Sequence, residues 1–261
     1  MLSPDQIATI AQELADADRA HGVIPRITAR YPEATIEDSY AIQGLWRDKN
    51  LAAGRRLVGR KIGLTSKAMQ QATGITEPDY GVMFDDTVYE SGADIPVEHF
   101  SNVRIEVELA FVLKEPLEGP DCTLDDALRA IDYAVPALEV LNSHIELEGR
   151  TIVDTISDNA AYGAMVLGAT RRRPDEIDLP WVSALLSRNG EIEETGVAAG
   201  VLGHPARGVA WLANKFHQHG ARLEAGEIIL AGSFTRPVWV ERGDSIRCDY
   251  GPMGVIECRF V

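Results

Sequence analysis

The stretch Val103-Arg-Ile-Glu-Val-Glu-Leu-Ala-Phe-Val-Leu113 alternates with a period of two. Val103, Ile105, Val107, Leu109 and Phe111 share one face of the strand this predicts, and Arg104, Glu106, Glu108, Ala110 and Val112 share the other. Most alternating strands turn their polar face to water. Here that face becomes apolar at Ala110 and Val112, so both faces are covered further along. Glu106 and Glu108 then stand at the mouth of a buried strand, about 6–7 Å apart at the root.

Around this strand the texture is the same. Short apolar runs punctuated by Gly, Pro and Asp predict strands over 57–64, 132–141, 161–167, 182–188, 191–195, 227–231, 238–241, 245–249 and 254–260. Asn189-Gly190 is a strong hairpin signal between two of them, and Arg242-Gly243-Asp244 is a weaker turn. The first fifth of the chain reads differently. Ser3, Pro4 and Gln6 form a cap, a first-turn proline and a capping-box partner, followed by Ile7, Ile10, Ala11 and Leu14 on one helical face. A second helix is predicted from Thr35 to before Gly54, with Ile42, Leu45 and Trp46 inward. Two more are predicted, one behind Thr123 and one from Pro205 to about His219. The fold class is therefore α+β: a helical N-terminal part over residues 1–56 and a β-rich body over 57–261 that rolls or closes on itself.

The chain has 261 residues, enough for a sizeable core, and its 45% hydrophobic and 25% charged residues are ordinary for a globular protein. Forty acidic residues against 25 basic ones give a net charge of −15. That excludes a nucleic-acid binder and an adherent of anionic membranes. An anionic substrate would need local positive charge from Lys, Arg or a metal. Three cysteines without a C-x-x-C pair point to neither zinc nor a disulfide framework, and the N-terminus lacks a signal-peptide pattern, so the expected location is the cytoplasm.

Two further residues do not suit their surroundings. Glu139 stands in the apolar run Tyr133-Ala-Val-Pro-Ala-Leu-Glu-Val-Leu141, where an unpaired carboxylate is costly. With Glu106 and Glu108 it makes an all-oxygen set that suits Mg2+, Mn2+ or Ca2+ rather than zinc. The competing explanation is ion pairing with Arg104, Lys61 or Arg60. Lys61 lies in a strand carrying Gly59 and Gly63, a pattern that marks close approach of a ligand or backbone; it either serves as a half-buried acid/base or runs its stem along the sheet to water. No phosphate-binding glycine loop occurs, Ser143-His144 is an adjacent pair without a triad, and no histidine has metal-ligand spacing.

Taken in order, Gly59-Arg-Lys-Ile-Gly-Leu-Thr-Ser66, Pro78-Asp-Tyr-Gly81, Arg104-Ile-Glu-Val-Glu108, Pro136-Ala-Leu-Glu139, Ser157-Asp-Asn159, Gly196-Val-Ala-Ala-Gly-Val-Leu-Gly-His-Pro205 and Gly232-Ser-Phe-Thr-Arg-Pro237 resemble the hydratase/decarboxylase family of aromatic meta-cleavage pathways, relatives of fumarylacetoacetate hydrolase. The resemblance covers nearly the whole chain. It implies a fumarylacetoacetase-like mixed β-roll, a metal-dependent hydro-lyase acting on a 2-oxo-enedioate or its 2-hydroxy-dienoate tautomer, and a homo-oligomer, pentameric or decameric. It implies Mg2+ or Mn2+ on Glu106, Glu108 and Glu139, Lys61 at the 2-oxo acid end, and Ser233 on the C1 carboxylate, with Leu64 and Thr235 beside it. Lys61 and Asp79 are the acid/base candidates, Asp79 being otherwise a turn former after Pro78, and Arg236 is the candidate partner for a second substrate carboxylate. The decarboxylase branch resembled here tends to an apolar residue in place of Asp79, which favours hydration over decarboxylation. A hydratase of shorter dienoates, a hydrolase using a Glu-His pair, and a non-catalytic stabilising subunit are the other readings.

Overall fold

The structure is a computed structural model that describes residues 1–66, 70 and 77–261. Helix α1 (Pro4–Ala20) starts at Ser3, whose hydroxyl accepts from the Gln6 backbone while the Gln6 side chain accepts from the Ser3 N–H. A single turn, α2 (Ile27–Arg30), precedes α3 (Ile36–Ala52), which opens with the same reciprocal cap between Thr35 and Asp38. Ile10 and Leu14 of α1 and Ile42 and Trp46 of α3 close over Ile27, Val82, Phe84 and Ile145. Leu45 is not inward as expected: it is 39% exposed, because Ile42 and Trp46, four residues apart, already define the buried stripe and leave it on the shoulder.

The body begins at β1 (Leu57–Gly63) and β2 (Asp79–Phe84), followed by β3 (Val88–Glu90), β4 (Ala93–Ile95), β5 (Arg104–Leu113) and β6 (Ile131–Leu141), with α4 (Leu124–Ala130) before β6. After α5 (Ile152–Ser157) come β7 (Tyr162–Leu167), the hairpin β8 (Ser183–Arg188) and β9 (Glu191–Val197), and α6 (Arg207–His217). The chain ends with β10 (Ile228–Leu230), β11 (Val238–Trp239), β12 (Ser245–Asp249) and β13 (Val255–Phe260). The β8–β9 turn at Asn189-Gly190 has both residues at positive φ, 55° and 87°, as its sequence demands. Strands β2, β3 and β4 and helix α5 were not anticipated, and α6 starts two residues after Pro205.

Two sheets result. The larger runs β2-β1-β10-β5-β6-β7-β3, with β11 also on β5; the smaller runs β4-β13-β12-β8-β9. The two faces of β5 serve different layers. Ile105, Val107, Leu109 and Phe111 join α6 and the smaller sheet in the main core, with Leu212, Phe216, Ile246 and Phe260. Ala110, on the other face, packs with Met83, Ala137, Tyr162, Met165 and Leu230 inside the curl of the larger sheet. The period-two pattern thus places Arg104, Glu106 and Glu108 on the concave side, at the end where the apolar filling stops.

Candidate active site

The site is assembled from register. β5 and β6 pair antiparallel with Glu106 opposite Glu139 and Glu108 opposite Ala137. Residues paired directly across a ladder have Cβ atoms about 4.5–5.5 Å apart on one face, so the three carboxylates must converge. They do: one oxygen from each of Glu106, Glu108 and Glu139 lies within 4.8 Å of the other two. The Gly232 N–H donates to Glu108 Oε2 at 2.8 Å. Glu108 Oε1 and both Glu139 oxygens are buried without a hydrogen-bond partner. Buried carboxylates left unpaired cost several kcal/mol each, and convergent hard oxygens with free lone pairs are what a divalent cation satisfies. The donor set therefore fits such an ion. Burial, and next the charge of Glu139, pushes the Glu106 carboxyl up to about 7; Glu108 is raised by the same two causes.

Lys61 approaches from β1, which pairs β2 on one side and β10 on the other. Its buried ammonium donates to the Ala160 carbonyl at 2.7 Å and lies 3.3 Å from Glu139 Oε1. Burial acts to lower its pKa, but the charges of Glu139, Asp79, Glu106 and Glu108 outweigh that and hold it above its ordinary value. The Ala160 carbonyl is aimed by an unusual backbone: Asn159, Ala160 and Ala161 all have positive φ, 49°, 52° and 59°. Three non-glycine residues in succession in the left-handed region carry strain, which the surroundings must hold. The Asn159 side chain does so by donating to the Val82 carbonyl at 2.9 Å and accepting from the Val82 N–H at 2.7 Å.

Asp79 is 2% exposed and opens strand β2 rather than a free turn. It faces Gly63 across the β1–β2 ladder. Its Oδ1 is buried and unpartnered. Burial raises its pKa, Lys61 draws it back, and Glu139 raises it again. Leu64 leaves β1 with φ 56°, in the left-handed region. Ser233 and Thr235 lie beside Glu108, yet their hydroxyls are turned to backbone: Ser233 Oγ donates to the Thr235 carbonyl at 3.0 Å, and Thr235 Oγ1 accepts from the Val107 N–H at 3.3 Å.

Of the ion-pairing alternatives, only Lys61 meets the glutamates; Arg60 pairs with Glu227 at 3.4 Å, and among the described residues no carboxylate lies within the ion-pair distance of Arg104. Arg236 is not brought to the site. It is 82% exposed and paired to Glu194 at 2.6 Å, because residue 236 follows the turn that sends the chain outward. Residues that sequence reading missed are the Ala160 carbonyl, the Gly232 N–H and Arg150, whose charge acts on Asp79. His144 is not a ligand: its Nδ1 lies 2.9 Å from Asp158 Oδ1, and Asp158 also accepts from the His144 N–H at 2.6 Å. A cavity of about 390 Å3 between the N-terminal helices and the body is lined by Trp46, Phe84, His144 and Asp158 among others, and by none of the site carboxylates.

A mixed sheet carrying three convergent carboxylates beside a buried lysine has the donor set of a divalent-metal enzyme. The chain belongs to the fumarylacetoacetate hydrolase family: residues 51–261 match the model described as fumarylacetoacetate (FAA) hydrolase C-terminal. It is 56% identical over 258 residues to 2-oxo-hept-4-ene-1,7-dioate hydratase from Escherichia coli, covering 97% of each chain. To 2-keto-4-pentenoate hydratase from Paraburkholderia xenovorans it is 39% identical, covering 99% of this chain and 96% of that one. It superposes with a TM-score of 0.97 on 4-oxalocrotonate decarboxylase from Pseudomonas putida G7 complexed with magnesium and adipate, at 34% identity, covering 100% of this chain and 99% of that chain.

Proposed function

We propose that this chain is a metal-dependent hydratase that adds water to 2-oxohept-4-ene-1,7-dioate, or its 2-hydroxy-dienoate tautomer, to give 4-hydroxy-2-oxoheptane-1,7-dioate. The observation that carries the reading is the convergence of Glu106, Glu108 and Glu139 with unpartnered oxygens beside a buried lysine and a buried aspartate. The 56% identity to a hydratase of that name supports the reaction type, and the magnesium and adipate held by the decarboxylase of similar fold support a divalent ion and a dicarboxylate guest.

The chemistry sets what the residues must do. The C4=C5 alkene is not conjugated with the 2-oxo group. A proton must leave C3 and one must arrive at C5 before water can add at C4, with a proton returned to C3. Glu106, Glu108 and Glu139 would hold a divalent ion, proposed as Mg2+ or Mn2+, which would supply positive charge for the 2-oxo acid and for its C2 oxygen. Asp79, buried with a free Oδ1, accepts the proton of water or of C3; burial raises its pKa towards the range where it can return that proton. Lys61 is held by its hydrogen bond to Ala160 and its charge contact with Glu139, and places positive charge where the substrate gains negative charge. Ser233, Thr235 and Leu64 shape the wall at the C1 end, chiefly through the backbone they fix.

The second reading, decarboxylation, is favoured by the TM-score of 0.97 and opposed by an acid at Asp79. Incubating the protein and Mg2+ with the seven-carbon hydroxydienedioate and, separately, with the six-carbon 4-oxalocrotonate, and following product mass, separates them. A product gaining one water supports hydration, and CO2 release without it rejects hydration. We also propose a homo-oligomer in the cytoplasm. Exposed Trp181, Leu185, Ile192 and Trp239 support a subunit contact, and light scattering tests it. Among the described residues no helix is long and apolar enough to cross a membrane.

A further inference from the structure

Arg104 and Arg150 are two guanidinium groups placed near one another at this site without a salt-bridge partner. In a chain with 40 acidic residues, neither has a carboxylate within 4.0 Å among the described residues. Arg104 Nη2 is buried and has no hydrogen-bond partner; its Nε makes one long contact to the Asn102 carbonyl, 3.4 Å. Its guanidinium lies over the Trp239 ring, 5.2 Å from the centroid, on the strand paired beside it. Arg150 donates through Nη1 to Ser143 Oγ at 2.9 Å. Burial, followed by the charge of Arg150, pulls the Arg104 pKa down, while Glu106, Glu139 and Asp158 draw it up. The two cations repel each other, and the nearby acids are spaced too far away to pair with them.

Arg104 shares the concave face of β5 with Glu106 and Glu108, two and four residues along it. At the strand rise the Cα of Arg104 lies about 7 Å from that of Glu106 and about 13 Å from that of Glu108. The two carboxyl carbons of an extended seven-carbon dioic acid are about 7–8 Å apart, from six carbon–carbon bonds of about 1.5 Å. A 2-oxo acid end at the three glutamates therefore places the other end within reach of an arginine on the same face. Guanidinium groups recognise carboxylates through two parallel N–H donors, and a donor already stripped of water and unpaired has its desolvation cost met in the free protein.

We infer that Arg104, in the field of Arg150, receives the distal carboxylate of the substrate and makes the site select dioates over 2-oxo monoacids. This rests on the dioate reading above and displaces Arg236 from that role.

The test uses the full-length protein loaded with Mg2+. Calorimetry compares 2-oxoheptanedioate with 2-oxoheptanoate, which has the same chain without the second carboxylate. The wild type binds the diacid more tightly, and Arg104→Met reduces that preference by about 10- to 100-fold. Arg104→Lys, which keeps the charge and loses the fork, gives an intermediate ratio and serves if the methionine variant does not fold. Guanidinium ion added to Arg104→Met restores part of the preference. If both ligands weaken by the same factor, Arg104 supports the 2-oxo acid end and the inference is overturned. An unchanged ratio overturns it as well. Failure of the wild type with Mg2+ to hydrate any dienoate would instead remove the functional reading on which it rests.

Discussion

Gly63 and Asp79 face each other across the β1–β2 ladder so closely that a Cβ on residue 63 would lie 2.2 Å from Asp79 Oδ1 and 3.2 Å from Lys61 Nζ. The missing side chain is what allows a carboxylate and an ammonium to share one corner of the site. Gly63→Ala should therefore leave the sheet folded and push Asp79 out of line. A displacement of about 1 Å at a reacting group costs on the order of 100-fold, so kcat falls by about that much while Mg2+ affinity changes little. Steady-state kinetics with metal titration checks both.

Lys61→Met should move two quantities in opposite directions. Removing the ammonium 3.3 Å from Glu139 leaves the carboxylates with less compensation, so Mg2+ binds more tightly. The same change removes positive charge from the reacting end, and kcat drops by about 10²- to 10⁴-fold. Weaker metal binding in this variant would show that Lys61 organises the glutamates instead of acting on the substrate.

Much of this corner could be read from the chain. The alternation over Val103–Leu113 gives both faces of β5, and the lone Glu139 in an apolar run gives its partner. What makes them meet is register, which depends on how β5 and β6 pair at a distance and has no local signature. Strand β2 was hidden because Pro78 and Asp79 read locally as a turn; its extension is imposed by β1 and by Asn159 bonding Val82. The left-handed run Asn159–Ala161 could not be foreseen, since alanine has no preference for that region and only tertiary contacts hold it there. Arg236 misled because an arginine in a motif shows no direction: the turn after Ser233 carries it to Glu194.

Acidity should govern metal binding. The Glu106 carboxyl, lifted to about 7, must ionise before it ligates, so protons compete with the cation below neutrality. Calorimetry should find Mg2+ affinity falling by about tenfold between about pH 8 and about pH 6 from this group alone, with proton uptake by the buffer at the lower value. The effect on stability has the matching sign. Because the folded pKa is raised above the ordinary 4.5, the folded metal-free chain holds an extra proton between 4.5 and about 7. Glu106 is therefore least harmful at low pH, and stability is lost as pH rises through about 7. Added Mg2+ should raise Tm more at about pH 8 than at about pH 5.5.

Arg236→Ala should change the kinetics toward the seven-carbon substrate by less than about twofold and stability by less than about 1 kcal/mol, because it loses only an exposed pair with Glu194. Asp158→Ala should leave the metal site in place and lower stability by about 2–4 kcal/mol, since it removes the acceptor for His144 Nδ1, for its N–H and for Ser143 Oγ in a buried network. Urea denaturation of the two variants separates the surface pair from the buried one.

The most direct measurement is Mg2+ binding by calorimetry to the metal-stripped wild type and to Glu106→Gln and Glu139→Gln at about pH 8, above the value of about 7 for Glu106. One ion per chain in the wild type, and affinity lower by at least about tenfold in each variant with the fold retained, is the predicted result. Wild-type protein that binds no divalent ion, or variants that bind it as the wild type does, would contradict the metal centre on which the proposed chemistry depends.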